Sequence, residues 1–162
     1  MARDHARIKL SIWNPADDFV SLRASEQHAY FTLMSNKGLS RCGVLDDIPS
    51  RFVRLSADMT KAKWRAAING LVAARYVLVD EHTEEMLLRS YVRHDGVMDR
   101  ANMGKATGTA FEAVVSDDLR RAIGDELARL MKEAPDLKGW EGLAMTSPTA
   151  HAMACGMESR KP

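Results

Sequence analysis

Cysteine is scarce in this sequence. Cys42 and Cys155 are its two members, too few and too far apart to predict a disulfide framework. Long hydrophobic runs are missing as well, and the longest fall far short of the ~18 apolar residues that a membrane-spanning helix requires. A charge excess of either sign is absent: 23 Lys and Arg stand against 22 Asp and Glu, for a net +1. No global basic field therefore announces a polyanionic partner, and any nucleic-acid reading has to rest on where the charges sit. The opening residues lead into alternating Ile8, Leu10 and Ile12 with no secretory core behind them, which predicts a cytoplasmic protein.

What is present is a globular composition, 46% hydrophobic and 28% charged over 162 residues. A chain of this length buries roughly two-thirds of its surface on folding and needs no covalent staples.

Arg7 to Ile12 alternates apolar and polar residues and reads as a short strand, broken by Asn14-Pro15 and Asp17-Asp18. Ser25 to Met34 reads as a helix capped by Ser25, with Ala29, Tyr30, Leu33 and Met34 on one face and a stop near Gly38. Cys42 to Leu45 is a brief strand or a buried connector. Asp47-Ile-Pro49 looks like a helix start, with Ile48, Phe52 and Leu55 on one side and Arg51 and Arg54 on the other. Thr60 caps a further helix to about Ala74, whose core stripe is Trp64, Ala67, Ile68, Leu71 and Val72. Tyr76 to Val79 and Met86 to Val92 read as two strands of a hairpin joined by the polar turn 80–85.

The order strand, helix, connector, helix, helix, hairpin is that of a winged helix-turn-helix. The fold class expected is therefore α+β and predominantly helical, with a winged-helix domain over residues 1–95. A helical extension is expected over 96–134. Within it Gly104 and Gly108 interrupt a weak helix, and Ser116 caps a strongly amphipathic one bearing Leu119, Ile123, Leu127, Leu130 and Met131. Its outer face is read as Arg120, Arg121, Asp125, Glu126, Arg129 and Lys132. Residues 135–162 show no sustained period and read as a flexible tail, with Trp140 and Leu143 docking locally.

No carboxylate occurs between Met59 and Val79, where Lys61, Lys63, Arg65 and Arg75 stand. A helix entering a major groove needs donors for base edges, small residues for close approach, and cations for flanking phosphates. Arg65 and Asn69, four residues apart, suit the base edges; Ala66 and Gly70 allow approach; Lys61 and Lys63 suit phosphates. Arg51 and Arg54 on the preceding helix, and Arg93 behind the hairpin, are placed for the backbone. An ordinary solvated helix face would carry the same lysines and arginines, so the stripe points to DNA only together with the element order. Asp80, Glu81, Glu84 and Glu85 put four carboxylates near the hairpin tip, where phosphates would be repelled.

Enzymatic chemistry finds no foothold. Gly104-Lys105-Ala106 lacks both the hydroxyl and the leading glycine of a phosphate loop, and no nucleophile elbow or dinucleotide fingerprint occurs. His151 and Cys155 have helical spacing, but two ligands do not make a metal site. Neither an enzyme nor a cofactor is expected.

Ala2-Arg-Asp-His-Ala-Arg-Ile-Lys-Leu-Ser-Ile-Trp13, Ser21 to Phe31, Cys42-Gly-Val-Leu45, Leu71 to Asp80 and Arg89-Ser-Tyr-Val-Arg93 carry a resemblance. Together they resemble winged-helix DNA-binding proteins of actinobacterial phages and prophages. More distantly they look like the N-terminal domains of phage replisome organisers and bacterial primosome initiators. The resemblance covers residues 2–97, mostly at core positions. It implies a small double-stranded-DNA-binding protein acting in phage replication initiation or transcriptional regulation. The acidic tip departs from strongly basic winged helices. The alternative is a module that binds a replication or host protein through the same domain. The helix from Ser116 to Ala134 either pairs two subunits into a homodimer or packs on its own domain.

Overall fold

The computed structural model describes residues 5–16 and 18–157. Ala2 and its two successors, Asp17, and the expected tail's end at 158–162 lie outside the described residues. Two short 3-10 turns, Leu10–Trp13 and Asp18–Ser21, precede helix α1 at Ala24–Met34. Then follow β1 (Val44–Asp46), α2 (Pro49–Phe52, prolonged by a 3-10 turn at Val53–Leu55) and α3 (Lys61–Ala73). The hairpin β2 (Val77–Asp80) and β3 (Glu85–Leu88) comes next, and then α4 (Tyr91–His94), α5 (Ala101–Glu112), α6 (Asp117–Glu133), α7 (Gly139–Thr146) and α8 (Pro148–Ala154). The fold is α+β, with a small three-stranded antiparallel sheet in the order β1-β3-β2. Met86 of β3 faces Leu45 on one side and Val79 on the other. All four residues of β3 are buried, so this central strand is covered on both faces.

Helix ends follow the hydroxyls that the sequence offers. Thr60 Oγ1 accepts the Lys63 amide at 3.2 Å, Ser116 Oγ accepts that of Leu119 at 3.2 Å, and Ser147 Oγ accepts that of Ala150 at 3.0 Å. Each satisfies one donor that the first turn leaves open. The cap expected from Ser25 is not formed: α1 begins one residue earlier, and the Glu26 carboxylate accepts the Arg23 amide at 2.8 Å instead. Ser116 is buried, and its hydroxyl also bonds Asp80, holding that carboxyl below the usual carboxylate range. Ser116→Ala should lower stability by about 1–2 kcal/mol. Urea unfolding checks this, and a loss indistinguishable from zero would mean the cap is redundant.

Four local expectations are corrected. Arg7 to Ile12 is not a strand; it pairs with no sheet, and Leu10 is 88% exposed within its 3-10 turn. The alternation there is real, but the sheet's β1 edge is far along the chain at Val44. What anchors the arm is Phe19, fully buried and edge-on to Trp13, Tyr30, Phe31 and Tyr76 at 5.2 to 5.8 Å. The second hairpin strand stops at Leu88 rather than Val92. Tyr91 begins a helical turn closed by its hydroxyl, which donates to the Asp95 carboxylate at 2.8 Å. Val72 is 37% exposed and lies outside the core stripe.

The fourth correction is the largest. Residues 139–154 are not a flexible tail but two helices, with Trp140, Leu143, Ala150 and Ala154 buried in the same hydrophobic cluster that holds Trp64, Ile68 and Leu87. The physical reason is backbone proximity rather than an apolar stripe. α7 crosses α5 at glycines: a Cβ on Gly104 would lie 2.7 Å from Gly139 Cα, and one on Gly142 would lie 2.8 Å from the Lys105 amide nitrogen. Among the described residues no helix is long and apolar enough to cross a membrane.

Candidate nucleic-acid interface

α3 is held from within by Trp64, Ala67, Ile68 and Leu71, all buried. The Trp64 ring stacks on Phe52 of α2 at 4.6 Å and 6°, which fixes the pair of helices. Lys61, Ala62, Lys63, Ala66, Asn69, Val72 and Ala73 are exposed along the outer side, so no other part of the described chain seals that face.

The seven cationic or amide residues singled out for DNA do not all stand free. Arg65 Nη1 donates to Asp47 Oδ2 at 2.7 Å, and that carboxylate is buried while the guanidinium is partly exposed. Asp47 is thus not a helix cap: it ties α3 to the segment between β1 and α2, and its own amide donates to the Glu84 carbonyl. Arg51 pairs with Asp46 at 2.6 Å. Lys63 Nζ donates to the Asp58 carbonyl at 2.9 Å and stands 3.5 Å from its carboxylate. The exposed Arg51–Asp46 and Lys63–Asp58 pairs are worth little and exchange readily with a phosphate, whereas the buried Asp47 carboxylate holds Arg65 in place. Arg54, Lys61 and Asn69 have no ion pair or side-chain hydrogen bond among the described residues. Gly70 is corrected: it faces inward against the Glu26 side chain of α1 and gives no close approach from outside.

Arg93 departs furthest from expectation. Its guanidinium lies 2.6 Å from Glu133 and 3.5 Å from Glu126, both on α6. Glu126 is not on the outer face of that helix; it is 2% exposed and receives Arg129 at 2.7 Å and Arg89 at 3.5 Å as well. One buried carboxylate thus gathers three arginines from two sides. The signal was present in the sequence, because Glu126 falls between Ile123, Leu127 and Leu130 on the apolar stripe. Beside this cluster, burial together with Lys9 and Arg93 holds the His94 imidazole below its ordinary pKa.

No protein-family model, no curated protein and no solved structure matches the chain.

The acidic hairpin tip divides into two functions. Asp80 Oδ1 accepts the His82 amide at 2.9 Å and the Thr83 amide at 3.3 Å, shaping the turn. Glu85 is buried, and its two carboxylate oxygens accept the amides of Val115 at 3.1 Å and Ser116 at 2.7 Å. It satisfies the entry to α6 and presents no charge to a partner. Glu81 and Glu84 alone remain exposed, so the tip is less repulsive than four carboxylates suggest. His151 of α8 and Cys155 just past its end approach to 3.9 Å, and no cluster of three ligand-type residues occurs among the described residues. The apolar stripe of α6 is buried within the chain, so of its two expected roles the second, packing on its own domain, accounts for it.

Proposed function

We propose that the chain is a non-enzymatic double-stranded-DNA-binding protein of winged-helix type, with α3 laid in the major groove. The observation that carries this reading is the open outer face of α3. The helix carries no carboxylate of its own, Asp58 reaching it only through Lys63, and it exposes Lys61, Ala66 and Asn69, while Arg54 is exposed on the turn that prolongs α2. The element order supports it further: helix, strand, two helices and a hairpin, with β1 joining β3, is the order expected of a winged helix. Asn69 is the base-edge candidate, Lys61 and Arg54 the phosphate contacts, and Lys63 and Arg51 contribute after exchanging their exposed carboxylates, while Arg65 stays bound to the buried Asp47. A place in phage replication initiation or gene control follows from the resemblance of residues 2–97.

Binding to a mixed-sequence duplex should weaken linearly on a log–log salt plot, and removing a single phosphate-binding cation should flatten the slope by about one unit. Lys61→Glu and Arg54→Glu should each do this while leaving unfolding by urea unchanged. Asn69→Ala should relax sequence preference without altering the slope. Affinity indifferent to salt and to both charge reversals would overturn the reading. It would favour the second one, a module for a replication or host protein, to which the exposed apolar Ile8, Leu10 and Trp13 of the arm are suited.

A further inference from the structure

A cavity of about 560 Å³ opens between the N-terminal arm, α1, the α3–β2 turn, α4 and α6. That volume lies in the range of small-molecule sites. Its walls carry six formal positive charges, from Arg7, Lys9, Arg75, Arg89, Arg93 and Arg129. Three carboxylates oppose them: Asp18, Asp95 and Glu126. Asp95 already accepts the Tyr91 hydroxyl, and Glu126 is shared among three guanidiniums. Arg93 Nε is buried and has no acceptor among the described residues. Two bordering carboxylates also meet these cations, Asp99 at 3.7 Å from Arg7 and Glu133 at 2.6 Å from Arg93, so six cations face five carboxylates and the cluster keeps one positive charge in excess together with the unmet Arg93 Nε.

Arg75 adds an independent observation. α3 ends in a Schellman turn, in which the Tyr76 amide donates to the Leu71 carbonyl and the Arg75 amide to that of Val72. Arg75 occupies the left-handed position of that turn, at φ 63°, where glycine is favoured. An arginine stands there at a conformational cost, and its side chain lines the cavity. The lining also includes the aromatic and apolar side chains of Tyr30, Tyr76, Ile12 and Met34.

We propose that this cavity binds a nucleotide, with its phosphates on the arginine cluster and Arg75 and its base against Tyr30 and Tyr76. The chemistry is that of fork-shaped donors meeting phosphate oxygens while a flat ring covers apolar surface. The site uses none of the residues assigned to the duplex on α3, so it stands or falls separately from that reading.

Isothermal titration of the full chain with ATP, pyrophosphate and adenosine tests it. ATP should bind, pyrophosphate should bind more weakly, and adenosine should not register at the same concentrations. Arg75→Gly relieves the left-handed strain, so its thermal midpoint should hold or rise while its affinity for ATP falls at least about tenfold, the scale of one charge-assisted contact. Lys9→Ala, on the exposed arm, should weaken ATP as well. The proposal is overturned if ATP does not bind, if ATP binds no tighter than pyrophosphate, or if both variants bind it like the parent chain. A duplex that displaces ATP from the parent but not from Arg75→Gly would reassign the cavity to backbone phosphate and overturn it equally.

Discussion

Glu126→Ala is expected to cost about 3 kcal/mol of stability, and the loss should come from stranded positive charge rather than from weakened packing. The carboxylate is 2% exposed, and Arg89, Arg93 and Arg129 converge on it at 2.7 to 3.5 Å. Removing one partner of a buried ion pair leaves the other without compensation, at roughly 3–5 kcal/mol. The arginines are between 23% and 49% exposed, so water recovers part of that and the lower end applies. For a chain of this size, about 3 kcal/mol is a fall of roughly 6–12 °C in the thermal midpoint. Glu133→Ala is the control. Glu133 also pairs with Arg93, but it is half exposed, and its removal should change stability by less than about 1 kcal/mol. Glu126→Gln, which keeps shape and acceptor but not charge, should fall between the two. Equal and small effects from Glu126→Ala and Glu133→Ala in urea unfolding would show that the three guanidiniums are held by other contacts.

That residue also marks the boundary of what the sequence discloses. Period and capping are local properties, and where they decide the outcome the sequence is a good guide: α3 from Thr60, α6 from Ser116, and the hairpin around 80–85 stand where expected. Side-chain charge is different, because its partner is chosen by the tertiary fold. Asp47 and Arg65 are eighteen positions apart, Glu85 and Ser116 thirty-one, and Arg93 and Glu126 thirty-three. No spacing rule links such pairs. The helical period places Glu126 on the buried stripe, but it does not say which cations meet its carboxylate there. The same limit governs the candidate site. The open face of α3 is legible because exposure there follows from the helical period. The cavity behind Arg75 is not, because it is assembled from five separate segments.

Composition misleads at the C-terminal end for a further reason, and the correction yields a prediction of inverted sign. In an ordinary exposed helix, Gly→Ala stabilises by about 1 kcal/mol, because alanine loses less backbone freedom. Gly142→Ala should instead destabilise by about 3 kcal/mol or more. Its new methyl would run into the Ala101 carbonyl and stand 2.8 Å from the Lys105 amide nitrogen, and both belong to the backbone of α5. Backbone cannot rotate aside as a side chain can, so the two helices must separate, at the upper end of the overpacking range. Separation also breaks the Thr146 hydroxyl's hydrogen bond to the Lys105 carbonyl at 3.1 Å and uncovers Leu143, which is fully buried. Hydrogen exchange should then accelerate throughout α7 and α8 while α3 remains protected. Ala144→Gly on the same helix isolates the propensity effect and should cost only about 1 kcal/mol. If Gly142→Ala proved as stable as the parent chain, the backbone contact between α5 and α7 could not be what holds residues 139–154 in place.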